Sequence, residues 1–529
     1  MVRRLAALCL CLVGASAVNA QTDIRAMVVG SRALELAESR QLTFRADGDV
    51  TYRAYVSPNG RWVAYGVGDD INDFRVCVVE ASGGKSRALL DARPYAAVLA
   101  GKQRLESSTW IPSTSSFDRI AWSPDSKLIA VAATRLVPGE EEPSEEDYVL
   151  LMTPKGDVFR SLAVPQGWTH LPQALIWSPD GRKLAGEFLR DRSDAEGGGS
   201  PGGDTGEPTL PKRAVLVFDI QRAAVHVVYE ARDEFLSELI GWSASNGSVL
   251  MITIGDQGYV LREASLDGRP ARVVSTGWAL SGEVSPDSVY TAQAVDDKLS
   301  VEAVKTGQVV RTVDVPGCRF RCWAPDSRMF FYSREEAALK DETGARQKTV
   351  NSLWLSSLEQ HKLNHLCVAL DFNLQPPSVS SDRRRIAYVG DDHRVYVAEL
   401  EWRAPTPGEK LLAKLPLTQD DEKWLMKGNA RLIAIALRMY STCPGPEGQY
   451  PPEATVREAL SAYLAPLAGS GGAGPVFVRP GTDQDIFQYY PPGSGEVEDP
   501  EHTVVGTLDA GYSWKVAIYA DGHVEVVMK

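Results

Sequence analysis

Seven times along this chain, a short turn motif precedes an alternating run of apolar, β-branched and aromatic residues. The copies begin at Val56-Ser-Pro-Asn-Gly60, Trp122-Ser-Pro-Asp-Ser126, Trp177-Ser-Pro-Asp-Gly181, Trp242-Ser-Ala-Ser-Asn-Gly247, Val284-Ser-Pro-Asp-Ser288, Trp323-Ala-Pro-Asp-Ser327 and Val379-Ser-Ser-Asp-Arg383. Proline presets φ for the second turn position, and aspartate or glycine completes the turn. The runs that follow, such as Arg61-Trp-Val-Ala-Tyr65 and Arg328-Met-Phe-Phe-Tyr332, read as strands. A second turn recurs at Gly68-Asp69-Asp70, Gly255-Asp256-Gln257, Asp296-Asp297 and Gly390-Asp391-Asp392, and leads into strands such as Arg75–Val79, Lys298–Val301 and Arg394–Val397. A third turn, Ser82-Gly-Gly-Lys85, precedes a fourth strand. Four antiparallel strands per repeat make one propeller blade.

The copies recur every ~40 to ~65 residues, and the shortest intervals match the ~40–45 residues of a bare blade. The longer intervals predict insertions at 138–147, 191–211 and 334–348. The segment Arg40–Phe44 is a candidate for the strand that closes the ring, in competition with Glu409–Leu415. The Trp-Ser-Pro-Asp-Gly unit followed by a short strand resembles the WD40-like repeat of the TolB family. Propellers of the prolyl-oligopeptidase and dipeptidyl-peptidase families use the same unit. The resemblance spans Leu42 to Leu417 and implies fold, not activity, because such rings host adaptors, ligand binders and enzymes alike.

Repeats stop near Leu417. Thr418 and Asp421 form a variant capping box. Asp420–Tyr440 then reads as a helix with Trp424, Leu425, Leu432, Ile435, Ala436 and Met439 on one side. A shorter helix is predicted over Thr455–Leu464, and strands over Val476–Val478 and Thr503–Leu508. Lys515–Tyr519 and His523–Val527 flank Asp521-Gly522, a hairpin signal. This order, with Asn429-Ala-Arg-Leu432, Tyr450-Pro-Pro452 and the closing Tyr519-Ala-Asp-Gly-His-Val524, resembles the globular head of type II secretion pseudopilins. Those proteins carry a long apolar N-terminal helix. Here a propeller stands upstream, so the resemblance implies a reused head and not pilus assembly.

The first residues read as a secretory signal: Arg3 and Arg4, then apolar Leu5–Val13, then small-residue sites at Ala15-Ser-Ala17 and Val18-Asn-Ala20. Cleavage is expected after Ala20, and Cys9 and Cys11 lack a lipidation context. No later stretch approaches the ~18 apolar residues of a spanning helix. With 56 basic and 69 acidic residues, net −13, the chain does not suit phosphate neutralisation or anionic lipid. The remaining cysteines, Cys77, Cys318, Cys322, Cys367 and Cys443, are too few and irregular for a disulfide framework. Cys318 and Cys322 lie too far apart along one strand to bond.

The search for chemistry singles out few residues. Gly198-Gly-Ser200-Pro-Gly202 matches the nucleophile-elbow pattern, but in a glycine run without the strand and helix that the pattern needs. A hydrolase domain does not fit into the last 110 or so residues. Gly84-Lys85-Ser86 matches the end of a phosphate loop, in a hairpin context. His361 and His365 have helical metal spacing but fall around a turn and strand, with Lys362 where a zinc protease needs Glu. His523 reads as solvated beside its turn. Glu496, Glu498, Asp499, Glu501 and Asp509 are an oxygen-rich set without calcium-loop spacing. The Asp69-Asp70 and Asp391-Asp392 pairs read as turn residues, and Glu140–Asp147 as a solvated acidic loop. Trp122, Trp177, Trp242 and Trp323 read as inter-blade packing.

The sequence thus predicts an all-β seven-bladed propeller followed by a small α+β domain. The segments are a signal peptide at 1–20, a lead segment at 21–39, the propeller at 40–417 and the pseudopilin-head-like domain at 418–529. The function expected is a monomeric, non-catalytic, periplasmic or secreted interaction protein with an envelope or secreted protein partner. No catalytic residue, cofactor or metal ligand is assigned. The alternatives are a channel-sited lyase or hydrolase for a sugar or lactone, and a peptide or glycan sensor. Mass spectrometry of the exported product is expected to find Gln21 as the first residue; an intact Met1 would refute the signal.

Overall fold

The computed structural model describes residues 26–43, 51–68, 73–99, 105–113, 120–139, 143–190, 213–231, 235–243, 246–255, 258–278, 283–287, 289–295, 298–304, 306–315, 317–340, 347–359, 365–370, 372–442, 450–468, 476–492 and 499–529. The chain is mostly β and divides into two compact units. One takes the described parts of Met1–Glu35, Glu359–Leu366 and Trp402–Lys529; the other takes those of Leu36–Leu358 and Cys367–Glu401.

The larger unit is a succession of antiparallel sheets, one for each sequence repeat. Sheet one holds Thr51–Val56, Trp62–Val67, Arg75–Glu80 and Arg87–Asp91 in chain order. Sheets three to six follow the same order, with first strands Trp168–Trp177, Phe235–Trp242, Glu283–Val284 and Arg319–Trp323. Sheet two splits its first strand: Thr109–Pro112 and Ile120–Trp122 both pair with Ile129–Val137. Sheet seven holds Ser378–Val379, Arg385–Val389 and Val395–Arg403, and Arg32–Gln41 lies beside the last of these. Leu42 donates its amide to the Val395 carbonyl (2.8 Å), and the Val395 amide reaches Thr43 Oγ1 (3.0 Å). The rival closing segment is not a strand, because Pro407–Leu412 is a helix (α1) with a full Thr406–Glu409 capping box.

The turn motif is built on its serine and aspartate as much as on its proline. In sheet three the Ser178 hydroxyl donates to Asp180 Oδ1 (2.7 Å) and accepts from the Lys183 amide (2.9 Å), while Asp180 Oδ1 accepts from the Arg182 amide (3.0 Å). The same set recurs at Ser123/Asp125, Ser285/Asp287 and Ser380/Asp382, and Asn59 replaces the aspartate beside Ser57. Ser57, Ser178 and Ser380 are fully buried, so each hydroxyl serves backbone groups that water does not reach. The last motif position is left-handed in five copies, and only Gly60 and Gly181 among them are glycine; Ser126, Ser327 and Arg383 adopt it as well, and in the fourth copy Asn246, one residue before the end, does so.

Adjacent repeats are stitched by the motif tryptophans. Trp122, Trp177 and Trp242 donate their indole N–H groups to the carbonyls of Tyr55 (2.8 Å), Ala121 (3.0 Å) and Ile176 (2.9 Å), each in the preceding repeat. These tryptophans and Trp323 are buried between sheets, with apolar clusters on both sides. The last sheet meets the first: the Val56 amide donates to Ser378 Oγ (2.6 Å), the Ser381 amide to the Pro58 carbonyl (2.8 Å), and Arg385 Nη1 to the Gly60 carbonyl (2.8 Å). Val56, Val63 and Tyr65 share a core cluster with Ala387, Val389 and Val395.

Two expected insertions are extended hairpins instead of loops. Met329–Lys340 pairs with Gln347–Ser357 over the third. The described part of the acidic run, Ser144–Asp147, continues a strand, with Glu146 opposite Arg135 at 3.6 Å. The insertion at 191–211 lies outside the described residues.

The smaller unit packs Gln419–Thr442 (α2) and Val456–Ala468 (α3) with a four-stranded antiparallel sheet of Phe487–Tyr489, Val504–Leu508, Trp514–Tyr519 and Val524–Met528. Thr418 and Asp421 cap α2 reciprocally. Its buried face differs from the expected one. Met426, Ala430, Ile433, Ala434, Ala436 and Leu437 are buried, whereas Trp424 and Met439 are exposed. Small alanines let the sheet approach closely, and bulk alone misplaced the face. Glu422 extends the buried stripe because Arg479 (2.8 and 3.0 Å) and the Tyr512 hydroxyl (2.9 Å) satisfy its carboxylate. Val476–Val478 makes only an isolated bridge, Val478 to Asp485, in place of a strand.

Ser178→Ala is expected to destabilise the protein by about 1–3 kcal/mol, since it leaves the Lys183 amide without its acceptor at a buried serine site. Denaturant unfolding reads this directly, and an unchanged midpoint would refute the role given to the hydroxyl.

Candidate functional site

First strands of the larger unit touch one another: Thr51–Val56 meets Ile120–Trp122 and Ser378–Val379, and Trp168–Trp177 meets Ile120–Trp122 and Phe235–Trp242. They form the inner lining of the repeats. Several are bulged. Tyr52 and Arg53 together oppose a single position between Val67 and Tyr65. Ser237 is an extra residue between Leu236 and Glu238, and Ile240 another between Leu239 and Gly241. Arg321 is the extra residue between Phe320 and Cys322. A bulge re-aims the side chains beside it, and three of these four bulges carry or adjoin a charged residue, Arg53, Glu238 or Arg321.

Arg53 and Glu238 are the notable pair. They stand on first strands of the first and fourth repeats, yet the Arg53 charge acts on the Glu238 carboxyl. Desolvation holds that carboxyl above its ordinary value, and Arg53 only partly offsets it. Glu238 is nevertheless exposed to water. Among the described residues Glu238 makes no hydrogen bond or ion pair. The Arg53 guanidinium lies over the Tyr55 ring at 5.0 Å. Arg321 is a strut by contrast: Nε donates to Ser333 Oγ (2.8 Å) and Nη1 to the Leu374 carbonyl (2.9 Å).

Two further concavities occur. In the larger unit a cleft of about 600 Å³ is lined by Lys183, Asn246, Ser248, Glu263, Asp267 and Arg272, among others. Its charges are largely matched internally, by Ser248 and Arg272 on Glu263 and by Arg269 on Asp267 (2.7 Å). In the smaller unit a groove of about 600 Å³ runs between Glu453, Arg457 and the edge strand Phe487–Tyr489. Arg457 there pairs with Asp485 (2.5 Å) and lies against the Phe477 and Phe487 rings. The Tyr489 hydroxyl is buried without a hydrogen-bond partner among the described residues, and desolvation pushes its phenol up.

The residues singled out in sequence are not brought together. Gly84-Lys85-Ser86 lies in a hairpin connection, where Ser86 Oγ meets the Tyr65 hydroxyl at 2.5 Å. His365 opens a strand, and His361 lies outside the described residues. His523 stacks on Tyr519 at 4.0 Å and binds Asp521 (2.6 Å). Asp499 binds His502 (2.9 Å), and Asp509 binds Lys529 (2.7 Å). Asp392 holds the Tyr396 hydroxyl (2.9 Å). Asp69, Asp70, Ser200, Glu140, Cys443, Glu496 and Glu498 lie outside the described residues. Among the described residues, no three of His, Cys, Asp and Glu stand together as a metal-holding group, and no helix is long and apolar enough to cross a membrane. Cys77, Cys318, Cys322 and Cys367 are free thiols; burial pushes the Cys77 thiol up to about 11, which leaves it unreactive.

No family model matches the sequence, and no curated protein matches it. Some solved structures are similar to parts of this chain, each with a TM-score under 0.5. An oligogalacturonate lyase in complex with manganese is 14% identical, with 69% of this chain and 98% of that one covered and a TM-score of 0.43. The oligogalacturonate lyase of Vibrio parahaemolyticus is 11% identical, with 70% and 98% covered and a TM-score of 0.41. TolB from Acinetobacter baumannii is 12% identical, with 69% and 68% covered and a TM-score of 0.32.

The raised Glu238 carboxyl has a stability consequence. A folded-state carboxyl above its unfolded value means that the fold disfavours the ionised form, so the cost appears as pH rises through the folded value and vanishes below the unfolded one. Glu238→Gln is expected to raise Tm near neutral pH and to leave it unchanged at about pH 4. A neutral-pH Tm equal to the parent's would refute the desolvation of Glu238.

Proposed function

We propose that this chain is an exported, monomeric, non-catalytic interaction protein. Residues 40–417 form a seven-bladed β-propeller, residues 418–529 a pseudopilin-head-like module, and cleavage after Ala20 releases the chain into the periplasm or beyond. Its task is to hold a protein partner of the cell envelope. One observation carries this reading: apolar side chains stand in the open on the outermost strands of four consecutive sheets. Val158 and Phe159, Val227, Val273 and Val309 are all exposed, Phe159 by 59%. An outermost strand has an unpaired backbone edge, and proteins that stay apart blunt such edges with charge, proline or cover. Bare valines and a phenylalanine along them favour a surface made to be covered.

A second reading, a propeller enzyme or ligand sensor with its site in the axial passage, is favoured by the opposed charges of Arg53 and Glu238.

Cross-linked capture from envelope fractions tests the first reading. The intact chain is expected to retain a defined protein, and Phe159→Lys with Val227→Lys to weaken that retention by about tenfold or more at unchanged Tm. Equal retention by parent and variant would overturn it.

A further inference from the structure

We infer that the smaller unit docks an amphipathic helix of a partner protein, its apolar face bordered by acidic side chains, along the outward side of α2. This rests on the reading that the chain holds a protein partner, and it adds a second contact surface to the outer strands named above. α2 carries two apolar faces. One, with Met426, Ala430, Ile433, Ala434 and Leu437, is buried in the core of the unit. The other holds Trp424, Leu425, Gly428, Leu432, Ile435 and Met439, at spacings that form one stripe along the helix. Trp424 is 62% exposed and Met439 42%, and the four residues between them are half-buried. The stripe is about 22 Å long, or about four turns. Single exposed apolar side chains are ordinary, whereas a contiguous stripe marks a surface that is covered in use.

Two observations say what covers it. Lys427 and Arg431 stand one turn apart along one border of the stripe, and neither side chain makes an ion pair or hydrogen bond among the described residues. In a chain of net −13, two unmatched cations beside apolar side chains select acids on whatever lies there. Asp420 opens the same border two turns earlier, so the acids are wanted at the middle of the stripe and not at its start. Gly428 is the second observation. A glycine inside a helix weakens it, and a Cβ built at Gly428 meets nothing within 4 Å, so the free chain gains nothing from the missing side chain. The notch serves a neighbour, because two helices approach as closely as the side chains at their crossing allow. A helix surface also offers no unpaired backbone groups along its middle, so a strand has nothing to bond there, while a helix packs its ridges into the grooves. A second copy in antiparallel contact would set Lys427 and Arg431 against their own counterparts. An anionic bilayer would attract these two cations and repel the net charge of the chain.

The test is fluorescence titration of the intact chain into a labelled helical peptide whose leucine stripe is bordered by glutamates. One control peptide carries lysines at the border, and another keeps the composition with the stripe scrambled. The glutamate-bordered peptide is expected to bind about tenfold tighter than either control, and Trp424→Glu to lose about tenfold at unchanged Tm. Lys427→Glu with Arg431→Glu is expected to reverse the preference, so that the lysine-bordered peptide binds better. Gly428→Ala is expected to raise Tm and to weaken binding. Equal binding by the two borders, unchanged affinity in Trp424→Glu, or no binding at about 100 μM peptide each overturns the inference. Trp424-dependent binding to phosphatidylglycerol vesicles in place of the peptide overturns it in favour of a membrane, and a Trp424-dependent dimer in sedimentation does so in favour of a second copy. The envelope capture described above separates the inference from the reading it rests on. A protein retained equally by parent and Trp424→Glu, with no peptide bound, sinks the helix and leaves the partner reading standing. Peptide binding with no protein retained by the parent sinks the partner reading and leaves the surface standing.

Discussion

Three successive junctions between repeats are held by a hydrogen bond that no water can replace. The indole of Trp122, Trp177 or Trp242 is buried between two sheets, and its N–H reaches a carbonyl in the repeat before it. A buried donor has to find an acceptor, so the indole fixes both the spacing and the rotation of successive sheets. The Ser–Asp turn on the same strand end fixes where the next strand begins. Between them, five residues of sequence set the geometry within a repeat and between repeats. The long insertions therefore leave the stack unchanged, because they enter elsewhere in the repeat and lengthen hairpins or connections.

The inner lining obeys a different logic. Where regular pairing would send side chains alternately to the two sheet faces, the bulges at Arg53, Glu238 and Arg321 break the alternation. Arg321 is then absorbed by Ser333 and the Leu374 carbonyl. Glu238 is not absorbed by anything described. The fold bears the cost of one desolvated carboxylate, and such local conflicts collect at sites of function.

The sheets were legible in the sequence because turn chemistry and period-two alternation act locally. Ser-Pro-Asp-Gly before Arg182–Gly186 needs no knowledge of the rest of the chain to be read as a turn and strand. The hairpin at Asp521-Gly522 is equally local, with Ile518 opposite Val524. What was not legible depends on partners far away in sequence. The buried face of α2 follows from Ala430 and Ala434 against the sheet, and from Arg479 reaching Glu422, so a count of bulky residues chose Trp424 wrongly. Arg53 and Glu238 gave no motif, because the bulges beside them depend on how neighbouring strands pair. The acidic run Glu140–Asp147 reads as a solvated loop from its charge alone, whereas its described part, Ser144–Asp147, pairs as strand with Thr134–Val137.

The strand Arg32–Gln41 and the residues after it find their neighbour at the far end of the repeats: the Val395 amide meets Thr43 across 352 residues of chain. Time enters here. At ~5–20 residues per second of synthesis, the earliest strand waits roughly 20–70 s for the latest one to exist. Throughout that interval the edge of Arg32–Gln41 that later meets Val395–Arg403 has no partner strand. The growing chain is thus most vulnerable before the last sheet is made, when most of the other sheets are already built. A chaperone that shields strand edges would matter more to its yield than any gain in the stability of a single sheet.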